Sequence, residues 1–83
     1  MRTNDSLKPK DQVTVTITGP DEQHLYQATN AGFHSIEDAV AQAITDARLS
    51  INPEDCVFTV ANDTTAVTHR YRLNAHGNIK LII

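Results

Sequence analysis

Between Gln12 and Thr18 the chain alternates, with Val13, Val15 and Ile17 apolar and Thr14, Thr16 and Thr18 polar. A period of two predicts a strand with one buried and one solvated face. Residues 19–23, Gly-Pro-Asp-Glu-Gln, read as a turn, with proline setting the backbone and glycine permitting tight geometry. His24–Asn30 follows as a second strand. Leu25 and the pair Tyr26/Ala28 fall on opposite faces of it, so the pattern leaves open which side turns inward.

The period changes in residues 35–49. Ile36, Ala39, Val40, Ala43, Ile44 and Ala47 recur at the spacing of one helix face, and Glu37, Asp38, Gln42, Asp46 and Arg48 occupy the other. Ser35 is suited to the N-cap, and Glu37 and Asp38 to the positive end of the helix dipole. Asn52-Pro53 ends the segment, because a residue before proline is pushed out of helical geometry. The alanine-rich stripe predicts a helix that lies close against a sheet.

Three more strands are predicted at 56–61, 66–74 and 79–83. Treating residues 62–65 as a turn pairs Ala61 with Ala66, Val60 with Val67, Phe58 with His69 and Cys56 with Tyr71. A three-residue loop with Gly77 left-handed pairs Asn74 with Asn78, Leu73 with Ile79, Tyr71 with Leu81 and His69 with Ile83. Both hairpins place Cys56, Phe58, Val60, Val67, His69, Tyr71, Leu73, Ile79, Leu81 and Ile83 on one inner face. A slip of one residue in either would scramble that face. The expected fold class is therefore α+β, a two-layer sandwich of order β-β-α-β-β-β, with one mostly antiparallel sheet covered on one face by a single helix. Strand order in the sheet is left open.

Eighty-three residues make a single domain, which buries only about 60% of the surface of its unfolded chain. Residues 1–11 offer little to bury and read as a flexible N-terminal leader ahead of the domain at 12–83. They contain no apolar run that would serve as a signal peptide or membrane span, and Cys56 is a lone cysteine, so the expected setting is cytoplasmic, without a disulfide. The net charge of -3 is unevenly spread. Residues 19–63 carry -7, whereas residues 66–83 carry Arg70, Arg72 and Lys80 unopposed.

The predicted register sets Thr59 opposite Thr68, Val57 opposite Arg70, Arg70 opposite Ile82 and Arg72 opposite Lys80 on the uncovered face. Like charges across two strands destabilise by a few tenths of a kcal/mol unless an anion lies between them. The plain alternative is that these side chains decorate an open sheet and discourage stacking, their stems covering Val57 and Ile82. If the face binds, its candidate residues are Val57, Thr68, Arg70, Arg72, Lys80 and Ile82, an apolar centre with a polar rim.

No catalytic constellation is evident. Cys56 and His69 share the inner face two residues apart on adjacent strands, but among Phe58, Tyr71 and Leu81 they read as core residues. His24, His34, His69 and His76 lack metal-ligand spacing, and Gly19, Gly32 and Gly77 are isolated rather than a phosphate loop. No cofactor, metal or membrane is expected. The functional expectation is a small non-catalytic module for protein interaction or self-association, a homodimer included, acting through the uncovered face. The alternative is weak nucleic-acid or polyanion binding by the same face, with Tyr26 as a stacking platform if the second strand turns that way.

Overall fold

A computed structural model of the chain describes Lys8 and residues 10–82. It contains β1 (Val13–Thr18), β2 (His24–Asn30), α1 (Ile36–Ala47), β3 (Val57–Asn62), β4 (Val67–Leu73) and β5 (Ile79–Leu81). A single 3-10 turn at Pro53–Asp55 precedes β3. The sheet is antiparallel throughout, in the order β2-β1-β3-β4-β5, with α1 packed on one face. This is the expected α+β sandwich. None of the described helices is long and apolar enough to cross a membrane.

Alternation places Val13, Val15 and Ile17 beneath α1, all buried. One row on the helix side runs Tyr26, Ile17, Phe58, Tyr71, Leu81 across all five strands. A second runs Ala28, Val15, Val60, His69. Ile36, Ala39, Val40 and Ala43 close over these rows. At the start of α1 the Asp38 N–H donates to Ser35 Oγ at 3.1 Å, and the Asp38 carboxylate accepts from His34 N at 3.0 Å. The helix ends at Arg48, whose backbone is left-handed (φ 51°) and whose N–H donates to Ile44 O.

The C-terminal hairpin has the expected pairing. Asn74 N donates to Asn78 O, and Gly77 takes a positive φ of 82°, a conformation that glycine adopts freely. The β3–β4 register differs by two residues from the expectation. Residues 63–66 form the loop and Ala66 takes a φ of 62°, so Asn62 pairs with Val67, Phe58 with Tyr71 and Val60 with His69. A shift of two preserves which side chains share a face, so the inner set is unchanged. Burial nevertheless divides that set, because α1 packs mainly on β1, β2 and β3, while β4, apart from its neighbouring strands, packs mainly on the short 53–55 turn. Val67 and Leu81 are consequently exposed rather than interior. Ile83, also expected inward, lies outside the described residues.

Of the expected leader, residues 1–7 and 9 lie outside the described residues. Asp11 is buried, and its carboxylate accepts from Asn62 Nδ2 at 2.9 Å and from Lys8 N at 3.2 Å. Asn62 Oδ1 in turn accepts from the N–H groups of Thr64 and Thr65, so one side chain ties the start of the fold to the β3–β4 loop. The hydrogen bond from Asn62, then that from Lys8, holds the Asp11 pKa below its ordinary 3.8, against the opposing effect of desolvation. A carboxylate depressed in the folded state contributes stability above its unfolded pKa, and that contribution disappears as the pH falls through the folded value. Thermal melts of the wild type and Asp11→Asn from about pH 5 to pH 2 are expected to converge below about pH 3.8. Curves that stay parallel would show that Asp11 titrates alike in both states.

Candidate functional site

The outer face of the sheet is polar because every strand of β1 and β3 alternates. It carries Thr14, Thr16 and Thr18 from β1, Val57, Thr59 and Ala61 from β3, and Thr68, Arg70 and Arg72 from β4. The two ends of this face differ in charge. At one end Thr14 shares a 2.7 Å hydroxyl hydrogen bond with Thr29 and donates to Asp63 Oδ2 at 2.8 Å. At the other end Arg72 stands opposite Lys80, as expected, and both are exposed. Among the described residues neither Arg70 nor Arg72 forms an ion pair.

Between the arginines and the β1–β2 turn lies a shallow concavity of about 440 Å³. Arg70, Arg72 and Val57 form one wall, Pro20 and Glu22 of the turn another, and Thr18 and Thr59 present hydroxyl-bearing side chains beside them. The turn is held by Glu22 N donating to Gly19 O at 3.0 Å and Gly19 N to Gln23 O at 2.9 Å. The Gln23 side chain lies over Gly19, where a Cβ would stand 2.6 Å from its carboxamide carbon. Glu22 is left-handed at φ 63°, an uncommon conformation for a non-glycine residue.

The concavity thus gathers three of the six expected residues, Val57, Arg70 and Arg72. Thr68, Lys80 and Ile82 are exposed on the same face but do not line it. Thr68 faces Ala61 rather than Thr59, and Arg70 faces Thr59 rather than Val57, both consequences of the two-residue register shift. Arg70 and Ile82 are joined as expected, Ile82 N donating to Arg70 O at 2.8 Å. The sequence reading missed Thr18, Thr59, Pro20 and Glu22. Only the adjacency of β1 and β3 brings the first turn beside the arginines, and no local pattern encodes it.

Tyr26 does not belong to this face. It pairs with Ile17 on the helix side, where burial and the neighbouring Asp46 carboxylate, its hydrogen-bond partner, raise its pKa. A stacking platform built on Tyr26 is therefore excluded. Asp38 and Asp46 are likewise engaged within the chain, Asp46 also accepting from Gln42 Nε2 at 3.2 Å. Among the described residues this leaves Glu37 as the helix carboxylate without such a contact.

Cys56 and His69 are farther apart than the expected register placed them. His69 faces Val60, four residues along β3 from Cys56, which is roughly 13 Å of strand. Cys56 is fully buried, and its thiol contacts Asn52 O at 3.8 Å. Desolvation and Asp55 raise its pKa above the ordinary 9.0 and outweigh the lowering effect of Arg72. Reactive thiols have the opposite character, a depressed pKa with partial exposure. The described residues hold no group of three or more His, Cys, Asp or Glu able to share a metal ion. No protein-family model matches the sequence, and neither the curated proteins nor the solved structures provide a match.

Proposed function

We propose that the protein is a non-catalytic interaction module whose open sheet face receives an acidic surface of a protein partner. The observation that carries this reading is the juxtaposition of Arg72 and Lys80 across β4 and β5, with Arg70 beside Arg72 in the concavity and, among the described residues, no ion pair formed by either arginine even though Glu22 stands on another wall. Like charges across a strand pair are relieved when a counter-charge is brought from outside. Arginine suits the task because its planar fork binds carboxylates in bidentate fashion and is less strongly hydrated than an ammonium group. Val57 on the wall and the exposed Ile82 nearby supply the apolar contact that a protein surface would cover. The lone free thiol is at home in the reducing cytoplasm, where we place the protein.

A second reading, weak binding of a nucleic acid or another polyanion, is favoured by the threonines beside the same arginines. The orientation of Tyr26 and the acidic balance of the chain weigh against it.

Amide NMR of labelled protein distinguishes the two. Titration with a Glu/Leu-rich peptide is expected to shift Thr18, Val57, Thr59, Arg70 and Arg72 with a modest dependence on salt. The double variant Arg70→Glu/Arg72→Glu is expected to lose about 10-fold or more in affinity. Its thermal midpoint should hold, since both side chains are exposed. Shifts with an RNA oligonucleotide that collapse steeply with ionic strength would move the assignment to the second reading. Silence toward both ligands at low salt would overturn the site.

A further inference from the structure

We infer that the free edge of β5 joins two copies of this chain, each extending the other's sheet about a two-fold axis at Leu81. The inference goes beyond the acidic partner, because it rests on the edge of the sheet rather than its face. Ile82 N donates inward to Arg70 O at 2.8 Å, and Asn74 N to Asn78 O at 2.9 Å. Arg72 and Lys80 lie between these two pairs in the same register. Alternate residues of an antiparallel strand direct their backbone groups to opposite sides. Residues 78, 80 and 82 therefore bond to β4, and the N–H and C=O groups of Ile79 and Leu81 point outward along the edge. Such a row is complemented by another strand.

The side chains indicate which edge is used. The large apolar residues exposed among those described are Leu81 (57%), Ile82 (45%) and Val67 (36%), all at the β4–β5 end. The opposite edge, β2, exposes His24, Gln27, Thr29 and Asn30 instead. A second copy fits the β5 edge because the outward N–H and C=O groups of one strand complement those of an antiparallel copy of itself.

Charge selects the register. An axis at Lys80 would satisfy the outward amides but set the two lysines face to face at about 4.5 Å, a repulsive arrangement. An axis at Leu81 makes the two Leu81 residues a reciprocally hydrogen-bonded pair and places Lys80 opposite Ile82 of the other copy. The lysine stem then covers an apolar side chain while its ammonium group stays in water. A joint this short falls below the roughly 800 Å² per partner of a standard interface, so the dimer forms in a concentration-dependent way.

Sedimentation of the wild type over a concentration series is expected to approach twice the 9.1 kDa chain mass. Leu81→Pro removes an outward N–H and no bond to β4, so it is expected to remain monomeric with the amide fingerprint of the remaining sheet preserved. Leu81→Cys is expected to oxidise to a linked dimer, and Lys80→Cys to resist, since the two copies of residue 80 stand diagonally at about 7–8 Å, beyond disulfide reach. The native Cys56 is buried and does not compete. A wild type monomeric at its highest soluble concentration, or Lys80→Cys linking in preference to Leu81→Cys, would overturn the inference. The cysteine pair decides the matter even if the proline variant unfolds.

Discussion

Phe58→Ala lowers the unfolding free energy by about 3–5 kcal/mol, the range for removing a buried aromatic side chain and leaving a cavity. Phe58 has no exposed surface and occupies the middle of the five-residue row beneath the helix, between Ile17 and Tyr71. Its neighbours are rigidly placed by backbone pairing on both sides, so the cavity has little means of collapsing. In a domain this small the loss is comparable to the whole stability, typically about 5 kcal/mol at the low end. Urea titration followed by circular dichroism measures it. A loss under about 1 kcal/mol would mean that the sheet closes over the gap and that the row is not the centre of the core.

Ala39→Leu destabilises by the opposite route, overpacking, at about 1–3 kcal/mol. Ala39 is buried on the face of α1 that packs against the sheet, alongside Val40 and Ala43. Helix propensity scarcely separates alanine from leucine, so the cost comes from forcing the helix away from β1 and β3. The same substitution at exposed Ala41 is expected to change stability by no more than about 0.5 kcal/mol. Equal effects at the two positions would remove close helix approach as the cause.

Much of this architecture was legible in the chain because it is written in local periodicities. The threonine-valine alternation marks β1, the alanine stripe marks α1, and the span read as the second strand is that of β2. Gly77 revealed the last hairpin because its turn requires a left-handed residue. The β3–β4 loop concealed its register, because the residue in that conformation is Ala66, which carries no such signature. The exposure of Val67 and Leu81 was hidden for a different reason. Pattern says which side of a strand is apolar, whereas the reach of a 12-residue helix across five strands decides how much of that side is covered. Arg70, Arg72 and Lys80 could be placed on one face by parity alone, but the wall formed by Pro20 and Glu22 arises from a long-range pairing.

That pairing also governs how the molecule assembles in time. β1 lies inside the sheet between β2 and β3, and its contact with β3 joins Ile17 to Phe58, 41 residues away, with β2 and α1 in the intervening loop. The β1–β2 hairpin and the β3–β4–β5 meander close short loops, on the microsecond scale of hairpins, while the seam between them bears the larger closure entropy. Until it closes, Ile17 and Phe58 are uncovered on two separate pieces, each with a bare strand edge. The slow step of folding is thus also the interval in which the chain is most prone to aggregate.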